Sequence, residues 1–241
     1  MTTFHPPCDH SLTSPGIFYV ASFLVFAGWN DIGYISTDIS QATPHMTALA
    51  AKGIKLTHYY TQPSCSPSRV AMMTGKFPYK NGLQNYEIQV TDEIGVPLSN
   101  KLMPAYMKEL GYRTVMYGKW NIGHCNTRYL PHERGFDHFV GYMCPGHGYS
   151  DYACGLNAGV RDMLQGEAKP SSSSVAGDGA TSAANMTYNW TTGEEYLGIY
   201  DTTLYRDKTV EVIFSGAFAW LPLPSFLYTF VLLWRCRLCA H

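Results

Sequence analysis

Residues 59–75 read YYTQPSCSPSRVAMMTG, and this stretch decides both the fold class and the candidate chemistry. Tyr59 to Pro63 brings the chain off an extended segment. Pro67 suits the first turn of a helix, where its missing N–H has no intrahelical partner to lose. Val70, Met72 and Met73 supply an apolar face before Thr74-Gly75 ends the helix. Cys65 therefore falls at a helix N-terminus, where free N–H groups and the dipole favour negative charge. Arg69, four residues on, shares that face. The pattern suits an anionic ligand or a nucleophile developing negative charge. The plain alternative is a buried or incidental loop cysteine.

Working outward, residues 16–28 (GIFYVASFLVFAG) form a short apolar run. It is too short to span a bilayer, and no Lys or Arg precedes it as a leader would require. It reads as a buried parallel strand. Thr43-Pro44 opens a helix with Met46, Leu49 and Ala50 on one face and Gly53 at its end. Ile54 to Tyr60 alternates apolar and polar residues like a half-exposed strand. Ser99 can cap a second helix, with Leu102, Tyr106 and Leu110 at helical spacing and Gly111 as its stop. Arg113 to Tyr117 follows as a strand. Strands alternating with helices predict an α/β fold with a mainly parallel central sheet flanked by helices. Residues 166–185 (GEAKPSSSSVAGDGATSAAN) lack apolar periodicity and predict a flexible surface loop, extending with its flank to residue 190. Residues 203–213 look helical again.

The chain has 241 residues, with 17 Lys+Arg against 18 Asp+Glu and a net charge of −1. It is 46% hydrophobic and 15% charged. That excludes disorder over most of the chain. The near-neutral balance excludes a basic nucleic-acid surface. Residues 212–234 are apolar enough to span a membrane, and Arg235 and Arg237 follow as a cytoplasmic flank would. A frayed apolar tail, or a core strand joined to unrelated sequence, fits the same run. Seven cysteines leave at least one unpaired. Cys144 and Cys154 are placed to close a small disulfide ring. Asn185-Met-Thr and Asn189-Trp-Thr are glycosylation sequons, which favour the secretory pathway: secreted, lysosomal or lumenal.

Cys65-x-Pro67-Ser68-Arg69, followed by Met73-Thr74-Gly75, resembles the signature of the sulfatase family, in its arylsulfatase B-like branch. Gly28-Trp29-Asn30-Asp31-Ile32-Gly33, Thr43-Pro44-His45-Met46 and Leu49-Ala50 resemble its earlier motifs. Gly118-Lys119-Trp120 and Arg134-Gly135-Phe136-Asp137 resemble its later ones. The likeness runs from about residue 17 to residue 160, and more weakly through Gly193-Glu194-Glu195 to residue 230. It implies an alkaline-phosphatase-like α/β sandwich, incomplete at the C-terminus, and a sulfuric ester hydrolase acting on sulfate esters. Cys65 is then the precursor of a formylglycine nucleophile and a ligand of Ca²⁺. Cys65, Pro67, Ser68 and Arg69 form the motif read by the formylglycine-generating enzyme. Arg69 would hold the formylglycine hydroxyl, and Lys119 would contact the sulfate or its bridging oxygen. Lys119 follows strand 113–117, at a strand's carboxyl end, where open α/β sheets bind ligands.

Three departures from the family pattern accompany the likeness. The family's adjacent Asp pair is absent, because the run reads Val25-Phe26-Ala27-Gly28-Trp29; Asp31 is the nearest carboxylate left as a metal ligand. Where the family has His after Gly-Lys-Trp, this chain has Asn121, which cannot titrate in the useful range, and His124 is not a substitute. Family members are also longer, and Pro224 to Tyr228 resembles the strand before a substrate-contacting His. The expected organisation is an extension over 1–16, a partial catalytic domain over 17–211 and an apolar tail over 212–241. The readings are a sulfuric ester hydrolase, a non-catalytic or truncated sulfatase-like protein, and a membrane-anchored interaction module. Little turnover is expected of these residues acting alone.

Overall fold

The structure is a computed structural model that describes residues 18–21, 28–85, 87–110, 112–154, 161–170, 186–215 and 232–236. Its strands are β1 (Phe18–Ala21), β2 (Tyr112–Lys119), β3 (His138–Tyr142), β4 (Leu164–Pro170), β5 (Met186–Thr192) and β6 (Leu232–Cys236). They form one sheet in the order β1-β6-β2-β3-β4-β5. The helices are α1 (Pro44–Lys52), α2 (Cys65–Thr74), α3 (Met103–Glu109) and α4 (Asp201–Ser215).

β2 is buried from Thr114 to Lys119 because both of its faces are covered there. Met116 and Trp120 belong to a core with Val70 and Met73 of α2, Leu102, Phe136 and Phe139. Val115 and Tyr117 point the other way, into a core with Val140, Tyr142, Tyr152, and Leu204 and Tyr205 of α4. This is the period-two division of a strand covered on both faces. β2 and β3 pair in parallel with Gly118 opposite Gly141. A Cβ on Gly141 would lie 1.9 Å from the Gly118 carbonyl oxygen, so the two backbones meet where a side chain cannot fit.

The α/β class holds, but the parallel part of the sheet is narrower than expected. Only β2–β3 is parallel among the described strands; β1–β6, β6–β2, β3–β4 and β4–β5 are antiparallel. A parallel pair needs a crossover, whereas an antiparallel pair needs only a return. The apolar run at 16–28 contributes Phe18–Ala21, antiparallel to β6; residues 16–17 and 22–27 lie outside the described residues.

Several expected elements are corrected. α1 starts and stops where Thr43-Pro44 and Gly53 indicated, yet it buries no residue, and Leu49 is 72% exposed. Ile54 to Tyr60 is not a strand, and every residue in it is exposed. Alternation makes a strand only where a neighbour supplies hydrogen bonds, and no described strand pairs with it. α3 begins at Met103, with Leu102 rather than Ser99 at its cap and a proline in its first turn. Its packed face is Met103 and Met107, while Tyr106 and Leu110 are exposed. The expected loop at 166–190 is narrowed from both sides, because β4 and β5 pair from Leu164↔Thr192 to Pro170↔Met186. Residues 171–185, with the sequon at Asn185, lie outside the described residues, and Asn189 sits on β5.

In the apolar tail, α4 runs on to Ser215 and β6 seats residues 232–236 between β1 and β2. Among the described residues no helix is long and apolar enough to cross a membrane. Pro224 to Tyr228 lies outside them.

Candidate functional site

The site forms where the only parallel pair of described strands ends. Lys119 is the last residue of β2, opposite Tyr142, the last of β3. α2 meets this edge with its N-terminus, where Ser64 is the N-cap and Gly75 closes the other end in the left-handed region at φ 65°. Cys65 is the first residue of the helix and half-buried. Ser68 lies in the first turn, donating from its backbone N–H to the Ser64 carbonyl and from its hydroxyl to the Gln62 carbonyl at 2.8 Å. Pro67 is buried in the same turn.

Two cations are buried beside Cys65. Arg69 is 4% exposed and donates from a guanidinium nitrogen to the Lys119 carbonyl at 2.5 Å. Burial pulls its pKa down to about 9, against the favourable fields of Tyr142, Cys65 and Glu87, so it remains protonated at neutral pH. Lys119 is 3% exposed. Its Nζ donates to the Pro145 carbonyl and stands 3.9 Å from Glu87. Burial lowers the Lys119 pKa and Arg69 lowers it further, while a hydrogen bond with the Cys65 side chain opposes both. Burial likewise pushes the Tyr142 hydroxyl above the usual phenol range. Two cations, a helix N-terminus and one half-exposed carboxylate leave a field that favours an anion.

Asn121 shows why the histidine of the family pattern is not simply missing. It is fully buried, with φ 51°, a left-handed conformation that Asn tolerates better than most residues. Its Nδ2 donates to the Ile88 carbonyl at 2.9 Å, and its Oδ1 accepts from the Ser66 hydroxyl at 3.1 Å. Ser66 also donates to the Asn121 carbonyl and accepts from the Ile88 N–H, each at 3.0 Å. Asn121 thus fastens the residue after Cys65 to the end of β2 and to the 88 segment. His124 points elsewhere, with its Nε2 2.9 Å from the Val90 carbonyl.

The structure therefore brings Cys65, Arg69 and Lys119 together, with Pro67 and Ser68 in the same helical turn, and leaves Asp31 out. The Asp31 carboxylate accepts from the Gly28 N–H at 2.6 Å in a local turn. Among the described residues, the one grouping of three potential metal ligands is Cys144, Cys154 and Asp162. Its sulfurs are joined to each other as a disulfide, with Cα atoms 6.3 Å apart. Its carboxylate accepts from the N–H groups of Met143 and Cys144 at 2.8 and 2.6 Å. Ca²⁺ takes about six to eight oxygen ligands, and the described residues do not fit it.

Sequence reasoning missed Glu87, Tyr142, Pro145 and the Ser66–Asn121–Ile88 bracket. Each acts through partners far off in the chain, or through a backbone carbonyl, and no local pattern signals that.

Residues 26–211 match the protein-family model described as Sulfatase. Arylsulfatase J of Mus musculus is 42% identical over 128 residues, covering 53% of this chain and 21% of that protein. N-acetylgalactosamine-6-sulfatase of Homo sapiens is 35% identical over 122 residues, covering 47% of this chain and 23% of that protein. The matches thus span about a fifth of the length of these curated relatives. The crystal structure of Ps i-CgsB in complex with k-i-k-neocarrahexaose superposes with a TM-score of 0.59 at 23% identity. It covers 81% of this chain and 40% of that one, and the fold is alkaline-phosphatase-like.

Proposed function

The chain belongs to the sulfatase family, and from that premise we propose that its site binds a sulfate ester and serves a sulfuric ester hydrolase of arylsulfatase type. The observation that carries this reading is the convergence of Cys65, Arg69 and Lys119 at the carboxyl ends of β2 and β3. In this reading the formylglycine-generating enzyme converts Cys65 within the Cys65-Ser66-Pro67-Ser68-Arg69 motif. The hydrated aldehyde supplies an oxygen nucleophile toward sulfur.

The chain's own groups do the rest. The N–H groups at the head of α2 face the incoming anion. Lys119 donates from Nζ to a sulfate oxygen or to the bridging oxygen, and its depressed pKa eases proton release to the departing alkoxide. Arg69 holds the Lys119 carbonyl and adds charge beside the nucleophile. No step is assigned to Ca²⁺, for which the described residues supply no cage. The disulfide and the sequons at Asn185 and Asn189 support a secretory, glycosylated protein.

A second reading, a sulfatase-like anion binder without turnover, is favoured by Asn121. Its side chain is committed on both sides to structure and has no proton to exchange. Co-expression with the formylglycine-generating enzyme separates the two. Peptide mass reports Cys65 conversion, and an aryl sulfate with added Ca²⁺ reports hydrolysis. Turnover lost in Cys65→Ala supports the hydrolase. Sulfate binding without turnover supports the second reading, and neither binding nor turnover overturns both.

A further inference from the structure

Lys119 is held in an unusual way for a buried ammonium. Its nearest carboxylate, on Glu87, is 3.9 Å away, and besides its hydrogen bond with the Cys65 side chain it donates to the neutral carbonyl of Pro145. A carbonyl orients the ammonium without cancelling its charge, which leaves that charge available to an anion. Pro145 is the first residue inside the ring closed by Cys144 and Cys154. Two residues further on, the His147 side chain is buried, at 1% exposure, and stacks on Tyr142 with ring centroids 3.7 Å apart. Tyr142 is the cross-strand partner of Lys119.

Of its two ring nitrogens His147 uses Nε2, which donates to the Asp201 carboxylate at 3.1 Å, and Asp201 is fully buried at the start of α4. The ring is tied down at further points. Asp201 N–H donates to the Tyr149 carbonyl at 2.8 Å and Gly198 N–H to the Ser150 carbonyl at 2.9 Å. The Tyr152 hydroxyl donates to the carbonyls of Tyr196 and Ile199, each at 2.7 Å.

We propose that the disulfide-closed ring 144–154 is a positioning clamp for Lys119, pinned to α4 through the His147–Asp201 pair. His147 and Asp201 touch no reacting atom in this scheme. They act through Pro145 and Tyr142, and are positioning residues. The proposal rests on Lys119 as an anion-contacting group, but its first test does not need that reading.

An ammonium held in a hydrogen bond away from water exchanges its protons slowly enough to be seen in ¹H–¹⁵N spectra of lysine side chains. The full chain should show one such Nζ signal that vanishes in Lys119→Arg. It should vanish also in Asp201→Ala and in the double variant Cys144→Ser/Cys154→Ser, and survive in His147→Gln, whose amide can still donate to Asp201. Thermal melting identifies which variants remain folded. Persistence of the signal in a folded Asp201→Ala or double-serine variant overturns the clamp, as does its absence from the unaltered chain. If neither variant folds, reduction of the disulfide in the unaltered chain decides the matter by the same signal. Titration with inorganic sulfate tests the underlying reading separately. Relative to the unaltered chain, sulfate binding should weaken about tenfold or more in Asp201→Ala, about one hydrogen bond's worth. A chain that shows the Lys119 signal but ignores sulfate keeps the clamp and loses the anion site.

Discussion

Residues 28–60 and residues 62–152 both carry family-like motifs, yet the structure treats them in opposite ways. The later segment contributes α2, β2 and β3, and its large side chains Met73, Met116, Tyr117, Trp120, Phe136 and Phe139 are each at most 1% exposed. In the earlier one Gly33 alone is buried, and Trp29, Leu49, Ile54, Leu56, Tyr59 and Tyr60 are 68–93% exposed. Local signals are equally good in both. α1 has its proline at the start and its glycine at the end, just as α2 has Pro67 and Gly75. The difference lies in partners. α2 lies against β2 through a shared core, whereas α1 touches no buried cluster. Local chemistry fixes where a helix begins and ends, and tertiary contact decides whether its face is worth anything in energy.

That contrast breaks if core truncations cost no more than changes in the open segment. The largest effect is expected at Trp120, 1% exposed, stacked edge-on to Phe136 and donating from its indole N–H to the Gly123 carbonyl at 2.9 Å. Trp120→Ala should lose about 3–5 kcal/mol of unfolding free energy in a urea titration. Asn121 comes next. Asn121→Ala leaves the Ser66 hydroxyl and the Ile88 carbonyl without their side-chain partner, and should cost about 1–3 kcal/mol. Asn121→His restores the family pattern but puts a larger ring into a fully buried, left-handed position. A lower melting temperature is expected, and a stabilised Asn121→His protein would show that the bracket is dispensable.

The same two residues show how much was legible beforehand. Cys65 through Arg69 declared themselves by a helix start, Trp120 through the likeness of Gly118-Lys119-Trp120 to a family motif, and the α/β class, α2 and most of β2 through the alternation of strand-like and helix-like segments. The Ser66–Asn121 bond joins positions 55 residues apart, and the His147–Asp201 pair spans 54. Neither has a period or a motif to betray it. Sheet direction was misjudged for a related reason. A continuous apolar run says that a strand is covered on both faces, but not which way its neighbours run, so β6 beside β2 could not be foreseen. The exposed 54–60 segment failed in the other direction, with correct alternation and no pairing strand among the described residues.

A smaller effect tests the electrostatics of the buried segment. Burial lowers the Lys119 pKa, so between that value and the ordinary lysine value the unfolded chain binds the extra proton. Stability from this group therefore rises with pH across that window, and the charged form is a burden below it. Lys119→Met should be more stable than the unaltered chain at neutral pH, with the advantage shrinking as pH approaches the ordinary lysine range. An advantage that grows with pH would contradict the assignment. His132 gives an acid counterpart. Burial lowers its pKa to about 4, and its ring packs on Trp190 with centroids 4.7 Å apart. The unfolded chain takes up this proton first as pH falls from 6.5 toward 4, so stability drops through that window. His132→Phe should flatten that part of the curve in pH-dependent melting.

The smallest effect belongs to the open segment, and it is the sharpest check on the comparison. Ile54 is 93% exposed and lies in no strand. Its side chain is already in water, so Ile54→Lys removes almost no buried apolar surface and desolvates no charge. A surface change away from any cap, core or ion pair is expected to fall within about ±0.5 kcal/mol. Ile54→Lys should therefore melt with the unaltered chain, some several-fold less affected than Trp120→Ala. A loss of core size at Ile54 would mean that this segment is covered in solution and that its alternation does mark a paired strand, which would erase the distinction between the two regions.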